Sequence, residues 1–291
     1  MTTAIASRGR SDVIVTGEFA LTRRSFEVIA GLLRQQSGIH LAEAKATLVY
    51  SRLAKRLRHL GCVSFEDYCA LIESSSGAEE RNAMLTALTT NVTRFFREPH
   101  HFEHLRSKVL PALIDRARAG GRVRLWSSAC SSGEEPYSIA LTVLGMCPDA
   151  ARLDIRILAT DIDTKIVARA KAGLYSEDAV SPIPPALRSK WMTSERSRDL
   201  PWSVNPDVKS IVTFNELNLI GQWPMRGRFD VIFCRNVVIY FEEDTQSRIW
   251  GRFAQFLAPG ARLYVGHSER VDLPCFASDG LTVYRLAGSA T

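Results

Sequence analysis

The residues Trp126-Ser127-Ser128-Ala129-Cys130-Ser131-Ser132-Gly133-Glu134-Glu135-Pro136-Tyr137-Ser138 combine a strand end, a loop of small side chains and the start of a helix. Arg122-Val123-Arg124-Leu125-Trp126 reads as the strand, and the residues after it are small enough for a ligand to lie against their backbone. Glu134, Glu135 and Pro136 suit a first helical turn: acids oppose the positive end of the helix dipole, and proline lacks a donor that would go unused there. Such a junction either holds a nucleotide-like ligand or is the ordinary strand-loop-helix turn of an α/β protein. A second predicted strand, Ile155-Arg156-Ile157-Leu158-Ala159-Thr160, delivers Asp161 to the place where doubly wound sheets present a carboxylate to both hydroxyls of a ribose. Asp163 is either a second acid for that ligand or the cap of a helix over Thr164 to Ala172. Gly133 stands alone among serines, whereas a pyrophosphate cradle wants several glycines. An adenosine-containing ligand without a phosphate fits better.

S-adenosylmethionine is such a ligand, and the chain resembles the chemotaxis receptor glutamate O-methyltransferases of the CheR family. The resemblance is carried by Thr89-Thr90-Asn91-Val92-Thr93-Arg94-Phe95-Phe96-Arg97-Glu98, Ser131-Ser132-Gly133-Glu134-Glu135-Pro136-Tyr137-Ser138, Ala159-Thr160-Asp161-Ile162-Asp163, Asn218-Leu219, Phe233-Cys234-Arg235-Asn236-Val237-Val238-Ile239-Tyr240-Phe241 and Gly266-His267-Ser268-Glu269. These blocks occur in family order from about residue 20 to 287, nearly the whole chain. Each block alone is a weak signal; the ordered set is a strong one. It implies methyl transfer from S-adenosylmethionine, leaving S-adenosylhomocysteine, to glutamate carboxylates on the cytoplasmic coiled-coil region of chemotaxis receptors.

The elements that must position these residues follow from the pattern. Phe26, Ile29, Leu32 and Leu33 form an apolar helical stripe ending near Gly38, and a second helix is predicted from about Ala42 to Leu60. On that helix Val49, Leu53, Leu57 and Leu60 are expected to point inward and Arg52, Lys55, Arg56 and His59 outward. Ser64 and Asp67 open a third helix, and Ser74-Ser75-Ser76-Gly77 marks the turn before a fourth. Further on, Ile211 to Phe214, Val231 to Cys234, Arg262 to Val265 and Leu281 to Tyr284 read as strands, with a helix from about Glu243 to Leu257 closed by Gly260. The fold class is therefore α/β, an open, mostly parallel doubly wound sheet. The resemblance makes it the S-adenosylmethionine-dependent methyltransferase type, with a small N-terminal helical domain and an inserted antiparallel β subdomain at about 174–210. The stretch from Gly173 to Ser210, rich in proline and longer than a crossover needs, fits that insertion. The expected division is a flexible terminus at 1–17, a basic helical docking domain at 18–90 and the methyltransferase domain at 91–291.

Composition narrows the function. The net charge of +6 sits at the front: residues 1–60 hold ten Lys and Arg (Arg8, Arg10, Arg23, Arg24, Arg34, Lys45, Arg52, Lys55, Arg56 and Arg58) against four acids (Asp12, Glu18, Glu27 and Glu43). A basic front domain steers an acidic partner towards a nearly neutral remainder. The six cysteines show no paired ligand spacing and read as reduced core or pocket residues, with neither a disulfide framework nor a metal site. No signal peptide and no apolar run near the ~20 residues of a membrane span is present, so a cytoplasmic monomer without membrane insertion is expected.

Family positions carry over by motif. Asn91, Thr93 and Arg97 are implied to reach the methionine end and methyl region of the cofactor, and Glu134 its amino group. Asp161 is implied to bind the ribose, Asn218 with Leu219 the adenine edge, and Arg235 with Asn236 the far side. Arg97 and Tyr240 are the implied catalytic residues, touching the substrate carboxylate and methyl, and Arg52, Lys55, Arg56 and His59 the receptor-docking set. Bland readings stay open: Arg97 paired with Glu98 at the surface, Asn218 a turn residue, Tyr240 a core aromatic, the basic stripe a solvated face. His267 reads as a loop or core hydrogen-bonder, because a glutamate with a reference pKa of about 4.3 is already ionised and needs no general base. A nucleic-acid amino-methyltransferase would carry an Asn/Asp-Pro-Pro-aromatic step where this chain has Arg235-Asn236-Val237-Val238. A cofactor-sensing or scaffold module remains the non-catalytic alternative. Members tethered by a receptor pentapeptide tend to have a glycine-rich turn in the β subdomain; Met192 to Pro201 has no glycine, so recognition without that tether is expected.

Overall fold

A computed structural model of the protein describes residues 12–89, 91–194 and 201–287. The chain forms two compact units, one of residues 1–90 with Tyr240–Glu242, the other of 91–239 and 243–291. Most of the stretch Met192 to Pro201, on which the pentapeptide expectation rests, lies outside the described residues.

In the smaller unit, an antiparallel pair, β1 (Val13–Val15) and β2 (Leu21–Thr22), precedes four helices. The expected flexible terminus thus contains a strand at its end. Helix α1 (Arg23–Ser37) begins where the Thr22 hydroxyl accepts the Ser25 amide and ends at Gly38, whose φ of 77° permits the left-handed cap. Helix α2 (Ala46–Leu60) follows a single 3₁₀ turn at Glu43–Lys45, so it starts later than its sequence pattern suggests. Ser64 caps α3 (Phe65–Glu73), and α4 (Ala78–Leu88) closes the set. Val49, Leu53 and Leu57 are fully buried. Leu60, expected inside, is exposed in the last turn of its helix.

The basic stripe of α2 divides in two. Arg52 donates to the carbonyls of Ala87, Leu88 and Thr89 at 3.3, 3.0 and 2.8 Å, satisfying the end of α4 where helical acceptors have no partner of their own. Arg56 forms a forked pair with Glu80 of α4, a buried carboxylate that also accepts from Tyr68 at 2.8 Å. Lys55 and His59 alone of the four face solvent. The outward placement expected for Arg52 and Arg56 is therefore corrected: acceptors from α4, distant in sequence, draw both inward.

The larger unit is built on a seven-stranded sheet in the order β11-β12-β10-β9-β3-β4-β8. Its strands are β3 (Val123–Ser127), β4 (Ile155–Asp161), β8 (Val212–Glu216), β9 (Phe229–Cys234), β10 (Leu257–Val265), β11 (Phe276–Gly280) and β12 (Val283–Leu286). The pairs from β8 to β10 are parallel, and β12 turns antiparallel against β10 and β11. Chain order reverses at β3, whose neighbours are β4 and β9, and this opens a crevice at the carboxyl ends of the strands. Helices α5 (Pro99–His104), α6 (Leu110–Arg118), α7 (Glu134–Met146), α8 (Thr164–Ala172) and α12 (Glu243–Phe256) belong to this unit. Leu125, Ile157 and Val231 pair in register at the sheet centre, all buried, and Trp126 packs edge-on to Trp223 and Phe253. Between β4 and β8 the inserted subdomain carries β5 (Leu174–Tyr175), α9 (Glu177–Val180), α10 (Pro185–Trp191), β6 (Met192–Ser194), β7 (Trp202–Val204) and α11 (Pro206–Ser210), its antiparallel strands ordered β5-β7-β6.

Three local readings differ. Gly260, expected to close α12, lies inside β10 at a register shift, where its φ of 73° serves an irregularity of the strand. Strand β11 gives no alternating apolar signal, because it is an edge strand with a mostly exposed face. Leu281 and Thr282 form the turn before β12 and not its beginning. No described helix is long and apolar enough to cross a membrane, and the six cysteines are unpaired.

Because Glu80 is buried with Arg56 as its cation, Arg56→Ala should destabilise the chain by about 2 to 4 kcal/mol, allowing for the partial exposure of the arginine. Lys55→Ala should change stability by less than about 0.5 kcal/mol. Urea unfolding of the two variants beside the parent checks the contrast; equal midpoints would remove Arg56 from the fold.

Candidate functional site

The carboxyl ends of β3, β4 and β9 gather an unusual amount of buried charge. Glu134 and Glu135 open α7 and are both buried, facing different partners. The Ser132 hydroxyl donates to Glu134 at 2.7 Å, while Glu135 accepts from Ser127 at 2.7 Å and from Arg235 at 3.0 Å. Burial raises both carboxyls above the ordinary range, against the pull of those donors and, for Glu135, of Arg235. Asp161, at the tip of β4, is half-buried and raised by the same loss of water, opposed by the amides of Asp163 and Ser131. The second aspartate has the capping role: Asp163 accepts from Lys165 and Ile166 at the start of α8.

The loop between β3 and α7 is shaped by these acids. The amide of Ser131 donates to Asp161 at 2.8 Å, which holds Ser131 at a φ of 47° that non-glycine residues rarely adopt. Gly133 needs its hydrogen, since at φ 98° a Cβ would come within 2.8 Å of the Tyr175 hydroxyl and 3.0 Å of Ala170. Asn91 joins the same group, its amide donating to Asp163 at 3.3 Å and its carbonyl accepting from the Ser131 hydroxyl at 3.0 Å. Leu217 donates its amide to the Asp161 carbonyl at 2.9 Å, which brings Asn218 and Leu219 beside the same strand tip. The Asn218 side chain accepts from Ile220 and so shapes the turn, as its bland reading held, and Leu219 is buried.

A second network holds the segment after Asn91. Phe96, at φ 51°, donates its amide to the Ser138 hydroxyl of α7. Arg97 donates to the Val92 carbonyl at 2.9 Å, folding the segment onto itself, and Thr93 is half-buried within it. The pairing of Arg97 with Glu98 does not occur. Glu98 instead faces Arg235 at 3.3 Å and accepts from His267. Arg235 is buried and also donates to the Arg97 carbonyl and Glu135, with Phe102 beneath its guanidinium at 5.8 Å. Arg235, read from the sequence as a cofactor residue, thus has four protein groups around its guanidinium. Asn236 sits at φ 58° with its amide on Glu269, and Tyr240 belongs to the smaller unit, its carbonyl accepting from His40 at 2.8 Å and its neighbour Phe241 bridging Ile39. His267 is an exposed hydrogen-bonder, as its position in a loop suggests.

Glu98, Glu135 and Glu269 stand in the motif blocks but were given no site role from the sequence, and His101 was not named at all. Adjacent acids at a helix start were the available signal for Glu135; nothing local marks His101. Burial drives the His101 imidazole down to about 3, with nearby Arg235 adding to the effect, so its 3.5 Å approach to Glu98 is not an ion pair at neutral pH. Burial alone would raise Glu98, but Arg235, the His267 hydrogen bonds and His101 together hold its carboxyl at about 2. The arrangement as a whole presents carboxylates with raised affinity for a proton beside a polar loop backbone.

The family model "CheR methyltransferase, SAM binding domain" matches residues 91–276, and "CheR methyltransferase, all-alpha domain" matches residues 24–89. A Rhizobium etli protein described as a probable chemotaxis protein methyltransferase is 55% identical over 87% of this chain and 96% of its own length. The chemotaxis protein methyltransferase of Escherichia coli is 40% identical over 94% of both chains, and the chemotaxis protein methyltransferase 2 of Pseudomonas aeruginosa 38% identical over 89% of this chain and 91% of its own.

A histidine whose folded pKa lies below its unfolded one stabilises the neutral form, so its contribution is present above the unfolded value of about 6.5 and is lost as pH falls towards the folded value. The stability difference between the parent and His101→Gln should therefore move against the parent between pH 6.5 and about 4.5, above the range in which Glu98 titrates. Thermal unfolding of both across that range checks it; parallel curves would mean that His101 is protonated in the fold.

Proposed function

The chain belongs to the CheR family of methyltransferases and binds S-adenosylmethionine, and from that membership we propose that it methylates glutamate side chains on the cytoplasmic coiled-coil region of chemotaxis receptors. The observation that carries the reading is the acidic set at the carboxyl ends of β3 and β4, the buried Glu134 and Glu135 with the half-buried Asp161. The residues fit the cofactor: a sulfonium and an ammonium against one carboxylate make a net cation, and an electronegative, poorly hydrated crevice favours it. When bound, the cofactor supplies an electrophilic methyl group on sulfur.

The chain's own residues then hold and orient. Glu134 is proposed to accept from the ammonium, with Asn91 and Thr93 beside the methionine end. Asp161 is proposed to accept from the ribose hydroxyls through the lone pairs that its two backbone donors leave free. Asn218 and Leu219 border the adenine, and Asn236 the far side, with Arg235 acting through Glu98, Glu135 and the Arg97 carbonyl. Arg97 keeps donors beyond the one spent on Val92 and is proposed to orient the incoming carboxylate, with Tyr240 at the methyl. An anion and a cation are consumed together in this reaction, so excluding water and aligning oxygen, carbon and sulfur supply most of the acceleration, and no base is required.

Docking rests on the smaller unit. With Arg52 and Arg56 engaged by α4, the exposed Lys55 and His59 form the part of the stripe open to an acidic coiled coil, and the neighbouring Arg58 is shared with Glu18.

Transfer of labelled methyl to receptor-containing membranes, with DNA and RNA as controls, tests the reading. Label released as methanol by mild base is expected from a glutamate ester; base-stable label, or label on nucleic acid, would overturn it. Asp161→Asn should weaken both S-adenosylmethionine and S-adenosylhomocysteine by about 2 kcal/mol in calorimetric titration, since the ribose is common to both. Lys55→Glu with His59→Glu should slow receptor methylation in a salt-dependent way while leaving cofactor affinity unchanged, because exposed charges are screened within about 8 to 10 Å.

A further inference from the structure

The loop after β10, Gly266-His267-Ser268-Glu269, holds a buried carboxylate that is bound by backbone amides. Glu269 is 4% exposed, and its two oxygens accept five backbone amides. Oε1 takes Val237 at 2.9 Å, Val238 at 2.7 Å and Ile239 at 3.4 Å; Oε2 takes Asn236 at 2.9 Å and Gly266 at 2.6 Å. Converging amides of this kind make an anion-binding concavity, filled here by a side chain of the same unit. The Glu269 amide returns to the Gly266 carbonyl at 2.9 Å, which fixes the carboxylate's own position. Gly266 has no room for a side chain: a Cβ would stand 2.5 Å from the Asn236 amide nitrogen of the side chain and 2.9 Å from both the Asn236 backbone nitrogen and Glu269 Oε2.

The four consecutive amides Asn236 to Ile239 belong to the turn that leaves the carboxyl end of β9. That turn starts at Arg235, passes through Asn236 in a left-handed conformation and leads directly into Tyr240. A residue such as asparagine at φ 58° is held there by its surroundings, and Glu269 is the group that meets its amide. We propose that Glu269 is a positioning residue for methyl transfer: it touches neither cofactor nor substrate, and it sets the path of the turn that carries Arg235, Asn236 and Tyr240. A carboxylate is required and not merely a polar group of that size. Glutamine keeps one acceptor oxygen and would turn an NH2 towards amide donors, two at one position or three at the other. The inference rests on the proposed reaction only for its kinetic readout.

Two measurements test it. In the unmodified protein, the amides of Asn236 to Ile239 and of Gly266 should exchange with deuterium as slowly as those of β9, although they lie in no strand or long helix. Fast exchange there would overturn the clamp whether or not any variant folds. Glu269→Gln should then lower kcat for receptor methylation by about 10- to 100-fold, the scale of a misplaced reacting group, while the S-adenosylhomocysteine Kd rises only a few-fold and exchange speeds up at 236–239 but not in β3 or β4. Parental kcat in Glu269→Gln would also overturn it. If the parent itself fails to methylate receptors, the proposed reaction is at fault, and amide exchange with product binding still decides the role of Glu269.

Discussion

The rest of this structure depends on how carboxylates are kept out of water at one end of a parallel sheet. Glu98, Glu134, Glu135, Asp161 and Glu269 converge on the tips of β3, β4, β9 and β10, and the buried Arg235 guanidinium pairs with two of them, Glu98 and Glu135. Burying an ion is costly unless it is paired or hydrogen-bonded, and each acid solves this differently. Glu135 and Glu98 share the arginine, Asp161 and Glu269 take backbone amides, and Glu134 has a serine hydroxyl. The carboxyls of Glu134, Glu135 and Asp161 are nevertheless raised, because their loss of water outweighs the donors around them.

The same end of the sheet holds most of the unusual backbone. Phe96, Glu98, Ser131, Asn236 and Thr282 are the described non-glycine residues at positive φ, and the first four lie in the segments that these carboxylates grip. Such conformations cost of order 1 kcal/mol or more each and persist where surrounding contacts over-determine them. The amide of Ser131 is fixed by Asp161 and that of Asn236 by Glu269; the Phe96 amide is fixed by Ser138. Charge burial and backbone strain are thus parts of one construction, in which acids stabilise the loops that in turn line the crevice.

Much of this was legible in the sequence where the signal is local. The strand at Val123, the glycine at 133, the acid after β4 and the helix cap at Asp163 follow from periodicity and turn chemistry. What was not legible depends on partners far along the chain. Arg52 and Arg56 have the spacing of a solvated stripe, and only the placement of Leu88 and Glu80 on α4 turns them inward. Arg235 stands in a recognisable motif, yet its partners lie 100 and more residues earlier. Glu269 carries no periodic signal, since its role comes from backbone amides, which every residue but proline possesses. Strand β11 was missed because an exposed edge strand has no apolar face to reveal it.

The smaller unit is discontinuous: Tyr240, Phe241 and Glu242 close it through the Ile39 bridge and the His40 hydrogen bond, about 150 residues after the rest of it has been synthesised. Its hydrophobic core can assemble on the ribosome as soon as α4 emerges, but its final piece arrives only after the central strands of the larger unit have been made. A gene fragment ending near residue 90 therefore does not encode the whole of this unit, and grafting the helices onto another enzyme would leave the edge at Ile39 unpaired.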